Sequence, residues 1–131
     1  MDSAYVALLV LTAALSAVCL LQFVMTQLGA TQGMGPNRLA GIKTKATLAS
    51  DGAWRAGHAA AQPALLTAAV IGLGAAIPLA LWQASSDTDP SPAFTVVCAL
   101  AAAAVAVLFG LAVHRANRAA RQVTDDGGEH E

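Results

Sequence analysis

Three long stretches of this chain carry no Asp, Glu, Lys or Arg, and they constrain its fold more than any other feature. They cover residues 3–37, 56–86 and 90–114. A bilayer core of roughly 30 Å needs about 20 apolar residues in helical conformation. Each stretch is therefore long enough to supply one membrane-spanning helix.

The most apolar parts of these stretches predict spans at residues 4–28, 59–82 and 93–113. The second span contains two prolines, which membrane helices tolerate, usually as kinks. None of the three alternates in hydrophobicity as the strands of a membrane β-barrel do. We expect an all-α integral membrane protein, with a single three-helix domain over residues 1–115 and a loop at residues 33–58 between the first two helices.

The composition opposes a soluble enzyme. Hydrophobic residues make up 56% of the chain and charged residues 11%, against about 45–50% and 25% in typical soluble domains. No nucleophile–base pair, paired carboxylates or glycine-rich phosphate loop is apparent, and no basic stripe with interleaved aromatics suggests nucleic acid. We expect no enzymatic activity, no cofactor, no metal site and no nucleic-acid partner.

A cleaved signal peptide is the alternative interpretation of the first span. Signal peptides begin with Lys or Arg and have a shorter apolar run, whereas this chain begins Met1-Asp2-Ser3 and its run is about twice too long. A lipoprotein cleavage site before Cys19 would need a small residue where Val18 stands. We therefore expect the first span to be retained.

The distribution of charge predicts the orientation, because cytoplasmic loops are enriched in Lys and Arg. Residues 29–58 hold four bases and one acid, residues 83–92 hold two acids and no base, and three arginines follow the third span. This pattern places the N-terminus outside, the first loop and the C-terminus in the cytoplasm. Tyr5, Trp82 and Phe94 would then all lie at the outer interface.

The interior of the predicted spans contains few polar groups. The absence of Asp, Glu, Lys and Arg argues against a proton-coupled transporter. Gly72, Gly74 and Ala76 offer a small face for close helix packing. Cys19 and Cys98 lie at different depths in this topology, so they are expected to be free thiols, since a disulfide needs Cα atoms within about 7 Å.

The tail, residues 116–131, starts with arginines and becomes acidic and glycine-rich. The arginines can extend their charged ends to the membrane surface. We expect a cytoplasmic tail whose extreme end is disordered.

The first loop leads into a predicted helix. Ser50 is a candidate N-cap and Asp51, in the first turn, favours the helix dipole. The helix is expected to continue directly into the second span. On it, Asp51, Trp54, Arg55 and His58 share one face by their i, i+3, i+4, i+7 spacing.

Two interpretations of this loop remain open from residue chemistry. In one, Trp54 and the basic side chains form an interfacial collar that anchors the helix in anionic headgroups. In the other, the polar residues surround a site for an anionic group or a peptide. The residues that would form this ring are Arg38, Lys43, Lys45, Arg55 and His58.

The order of residues in this loop resembles the signature of the SdpI/YfhL family of bacterial membrane proteins. The family pattern is an Asn, then Gly-Ile-Arg-Thr, a Thr-Leu-x-Ser-Asp/Glu segment, and a Trp followed four residues later by His or Asn. The matching residues, predicted to bind a partner or to structure the loop, are Asn37, Gly41, Ile42, Lys43, Thr44, Thr47, Leu48, Ser50, Asp51, Trp54 and His58.

Together with the two following spans, the resemblance covers about residues 35–115. Lys43 stands where the family usually has Arg, so any bidentate contact of that guanidinium would be lost. The larger members carry an additional membrane half that has no counterpart in this sequence.

The resemblance implies a multi-pass protein of the bacterial plasma membrane that gives immunity or resistance to a membrane-active peptide toxin. Its helices and first cytoplasmic loop would bind the toxin or a toxin-engaged partner. The alternative is a small accessory subunit that packs against a larger membrane protein complex; a small transporter or channel is disfavoured by the uncharged spans. The expected partners are the lipid bilayer and either a peptide toxin or a larger membrane protein.

We also expect residues 37–51 to form an ordered cap against the helix ends.

Overall fold

The structure is a computed structural model that describes residues 3–31, 35–36 and 41–128. The described residues form three α-helices, each long and apolar enough to cross a membrane. They are α1 (Ser3–Thr31), α2 (Asp51–Ser85) and α3 (Pro92–Gly128). The prediction of an all-helical protein with three membrane-spanning helices is confirmed.

The helices pack as a bundle in which α2 contacts both α1 and α3. The hydroxyl of Tyr5 donates to the carbonyl of Leu79 (3.3 Å) and that of Thr12 to the carbonyl of Cys98 (3.2 Å), near one end. Gly29 lies against His58 at the other end. The start of α1 therefore meets the end of α2 and the start of α3, as expected for helices that cross the bilayer in alternating directions.

Small residues allow the close approach of the three helices. A Cβ atom on Gly72 would collide with the hydroxyl of Ser16 in α1 and lie 2.9 Å from a methyl group of Val105 in α3. Ala76 is also buried, but a Cβ on Gly74 would meet no atom within 4 Å among the described residues outside its own stretch of helix backbone. The predicted packing face therefore includes Gly72 and Ala76, whereas Gly74 points away from the bundle.

Helix α2 begins where the sequence predicts. The side chain of Ser50 accepts a hydrogen bond from the backbone N–H of Ala53 (3.0 Å), which satisfies one of the free donors at the helix N-terminus, and Asp51 occupies the first turn. The helix continues through Pro63 and Pro78 without interruption. One continuous helix thus joins the loop to the second span.

Helix α3 continues well past Val113, where the third span was predicted to end. Ala112, Ala116 and Ala120 are fully buried and lie one turn apart, so packing holds the helix beyond its most apolar part. This stripe cannot be distinguished by composition from the many other alanines of the chain. Most of the predicted tail is therefore helical; its last three residues, part of the end for which disorder was predicted, lie outside the described range.

The cysteines and the end aromatics agree with the predicted arrangement. Cys19 and Cys98 are both free and buried. The rings of Trp82 and Phe94 meet edge to face with centroids 4.7 Å apart, at the end of the bundle where Tyr5 contacts α2. The three aromatic residues thus lie at the same end.

Candidate functional site

The structure divides the predicted site residues into a buried group and an exposed group. The buried residues are Gly41, Ile42, Thr47, Trp54 and His58. The exposed residues are Lys43, Leu48, Ser50 and Asp51, with Thr44 half-buried between the two groups. Asn37 lies outside the described residues. We call Gly41, Ile42, Thr44, Thr47, Trp54 and His58 the signature core.

His58, which lies in helix α2, contacts its own helix through one ring nitrogen and the loop through the other. Its Nδ1 lies 2.8 Å from the carbonyl oxygen of Trp54, and its Nε2 lies 3.0 Å from the backbone nitrogen of Ile42. A carbonyl only accepts and an N–H only donates, so Nδ1 carries the proton and Nε2 accepts. The ring is therefore neutral, fully buried, and could bind a metal ion only by losing a hydrogen bond.

Gly41 gives the loop its path around this ring. Its φ is +94°, a conformation that side chains of L-residues disfavour. A Cβ atom there would collide with Nε2 of His58 and lie 3.0 Å from Cη2 of Trp54. Glycine is required at this position both for the backbone conformation and for the space, which agrees with a role in structuring the loop.

Two threonines close the turn and tie it to α3. The hydroxyl of Thr47 donates to the carbonyl of Ile42 (2.7 Å) and accepts from the backbone N–H of Thr44 (3.0 Å). The hydroxyl of Thr44 donates to Oδ1 of Asn117 in α3. The signature core is thereby linked to the third helix as well as to the second.

Trp54 fills the space between the loop and helix α1. Its side chain is fully buried, and its ring packs on His58 with centroids 4.0 Å apart. A Cβ atom on Gly29 would lie 3.1 Å from Nε1, which has no hydrogen-bond partner among the described residues. Packing within the protein therefore shields the Trp54 side chain from water.

Three residues of the site were not among the predicted site residues. Asn117 follows the third span and has no spacing relationship to Thr44. Gly29 allows α1 to approach Trp54, and a Cβ on Gly57 would lie 2.8 Å from the methyl group of Thr47 and 3.0 Å from a carbonyl oxygen of α3. A glycine in a helix can signal such close approach, but Gly74 and Gly110 are helical and face open space.

The face predicted for the start of α2 is only half correct. Trp54 and His58 are buried, but Asp51 and Arg55 are exposed. The buried face of the helix also includes Gly57 and is centred on the Trp54 side, so that positions 51 and 55 fall at its edge. Of the residues in the interpretation of a ring around an anionic ligand, His58 is buried, whereas Lys43, Lys45 and Arg55 are exposed. His58 therefore does not face the same surface as these three bases; Arg38 lies outside the described residues.

A family model described as the SdpI/YfhL protein family matches residues 34–111, well over half of the chain. The chain belongs to the SdpI/YfhL family. Neither a curated protein nor a solved structure matched it. The part matched to the SdpI/YfhL family contains the whole signature core, whereas Gly29 and Asn117 lie outside it.

Proposed function

We propose that this SdpI/YfhL family member is an immunity protein of the bacterial plasma membrane that protects the cell against a membrane-active peptide toxin. The observation that carries the proposal is the signature core, which packs the loop onto two helices of a membrane bundle. In the proposed orientation the core lies on the cytoplasmic side, in keeping with the bases of the loop.

The fixed backbone of the loop supports a role in recognition. Hydrogen bonds to His58 and Asn117 hold the turn from inside, so the exposed side chains project from a defined backbone. These side chains include Lys43, Leu48 and Asp51. A partner that meets a preorganised surface loses less conformational freedom on binding than one that must order a loop.

The helices offer a second contact inside the bilayer. Helices α1 and α3 leave an apolar crevice of about 190 Å³ between them. We propose that it receives an apolar side chain of the inserted toxin. Its lining residues are Leu15, Val18, Cys19, Val105, Ala106 and Phe109.

Deletion of the gene followed by challenge with membrane-active peptides tests the proposal. The deletion strain should become sensitive to at least one peptide, and the wild-type gene should restore resistance. Ala106→Phe should fail to restore it because the new ring fills the crevice, whereas Ala103→Phe, at an exposed position of the same helix outside the crevice lining, should restore it. Membrane immunoblots must show equal amounts of both variants.

The opposite outcomes are equally clear. Unchanged sensitivity of the deletion strain to every peptide would contradict the immunity function. Equal protection by the two variants would remove the crevice from the mechanism. A large protein that copurifies stoichiometrically in mild detergent would favour the accessory-subunit alternative.

A further inference from the structure

We propose that the C-terminal part of α3 holds a binding site for the phosphate group of an anionic phospholipid. The site lies beyond the residues matched to the family and does not depend on the immunity function. It occupies a cleft of about 320 Å³ on the surface of the helix. The residues that line this phosphate cleft are His114, Asn117, Arg118, Arg121, Gln122 and Asp125.

The phosphate cleft is rich in hydrogen-bond donors. Arg118 and Arg121 lie one turn apart, and guanidinium groups bind phosphate oxygens through paired N–H donors. Lys45 of the loop lies near Arg121, since both line an adjoining cleft. The two adjoining clefts are therefore lined by three cationic side chains, and Arg121 lines both clefts.

Asn117 adds a donor whose orientation is set by the signature core. Its Oδ1 already accepts a hydrogen bond from the hydroxyl of Thr44. Asn117 also lines the cleft, and the amide nitrogen of its side chain carries two N–H donors that can bind a ligand there. An oxygen-rich anion satisfies this donor and the neighbouring guanidinium groups together.

The position of the cleft along α3 selects a lipid as the source of the phosphate. The apolar run ends at Val113, and a helix rises 1.5 Å per residue, so Arg118 lies about 7–8 Å and Arg121 about 12 Å beyond it. The headgroup layer occupies about 5–8 Å on each side of the hydrocarbon core. Arg118 is therefore at headgroup depth, and Arg121 can extend back towards it.

The one acidic residue of the cleft lies at its far end. Asp125 is one turn beyond Arg121, about 18 Å from the end of the apolar run by the same rise per residue. Its carboxylate repels a phosphate bound near Arg121 but is well outside the headgroup layer. A lipid phosphate near Arg118 and Asn117 keeps both guanidinium groups within reach and avoids this repulsion.

Native mass spectrometry of the detergent-purified full-length protein tests the site. Added phosphatidylglycerol should be retained in preference to phosphatidylcholine with the same acyl chains. Arg118→Gln and Arg121→Gln should each weaken retention of phosphatidylglycerol about tenfold, the loss expected for one charge-assisted contact. Arg115→Gln is the matched control, because Arg115 is an exposed arginine of the same helix that does not line the cleft; it should change retention less than about twofold.

Three results would overturn the proposal. Equal losses for all three arginine variants would mean diffuse attraction of anionic lipid to the helix. Equal retention of the two lipids by the wild-type protein would mean that the phosphate cleft does not select an anionic headgroup. Calorimetric binding of inorganic phosphate without any preference for phosphatidylglycerol would assign the cleft to a soluble phosphate.

Discussion

The backbone N–H of Ile42 donates to Nε2 of His58 across a distance of 3.0 Å, and this bond joins two parts of the chain that the sequence leaves separate. The same imidazole donates from Nδ1 to the carbonyl of Trp54, 2.8 Å away. The first turn of α2 and the loop before it are therefore held by one side chain. The imidazole stabilises the backbone of the loop and of the first turn of α2, because its rigid ring carries one acceptor and one donor.

Replacement of His58 by Phe should destabilise the protein. The phenyl ring keeps the packing against Trp54 but leaves the buried N–H of Ile42 without an acceptor, at a cost of about 1–3 kcal/mol in the free energy of unfolding. Thermal and denaturant unfolding in detergent, followed by circular dichroism, measures the change. Lys45→Ala, at an exposed position, should stay within about 0.5 kcal/mol of wild type. Equal stability of all three proteins would show that the Ile42 bond contributes nothing.

Replacement of Gly41 should disturb both the loop and the protection it is proposed to give. Gly41→Ala forces a left-handed residue to carry a Cβ that meets His58, so we expect a loss of at least about 1 kcal/mol. Gly41→Val should abolish protection. Gly110→Ala is the control, because its Cβ would meet no atom within 4 Å among the described residues outside its own stretch of helix backbone. Alanine also favours a helix over glycine by about 0.5–1 kcal/mol. Gly41→Ala and Gly110→Ala proteins of equal melting temperature would rule out the close fit around the ring.

The link between Thr44 and Asn117 should appear as an energetic coupling. We expect Thr44→Val and Asn117→Leu to destabilise the protein singly, and the double variant to lose less than the two losses added together. The interaction energy of such a cycle is typically about 0.5–3 kcal/mol for residues in contact. Unfolding of the four proteins in the same detergent gives the value. Strictly additive losses would mean that the loop and α3 are stabilised independently.

The orientation can be tested at two points. A reporter fused after Glu131 should be active in the cytoplasm, and one inserted near Ser86 should be active outside. The charges support this orientation, because the bases lie in the first loop and just after the third span. The only charged residues of the second connection are Asp87 and Asp89. The reverse pattern at both points would invert the topology and move the signature core to the outer surface.

The parts of the fold that could be predicted are those encoded locally. Membrane spans follow from uncharged length, and the start of α2 follows from Ser50 and the acid after it, because an N-cap uses only the next few residues. Gly41 could be assigned a backbone role from its residue type. Each of these features depends on a short segment and a general rule.

The parts that could not be predicted depend on contacts between distant segments. Thr44 and Asn117 are separated by 73 residues, and no periodicity connects a loop threonine to an asparagine on another helix. The extension of α3 depends on which of many alanines face α2 and the loop. His58 resembled a surface base because its position at the start of a helix does not reveal that the loop folds over it.

The chain contains two tryptophans, which lie at opposite ends of the bundle. Trp54 packs against the imidazole of His58, and Trp82 packs against the phenyl ring of Phe94. A Trp82→Phe protein therefore emits from the signature core alone. Its spectrum should be that of an indole in a dry environment, inaccessible to aqueous iodide. Because the neighbour of Trp54 is the ring that holds Ile42, release of the loop would admit water to the indole and shift its emission to longer wavelength. The fluorescence of Trp54 thus reports whether the loop is packed against the helices. Toxin, lipid or a partner can be added while this emission is measured, without an added label.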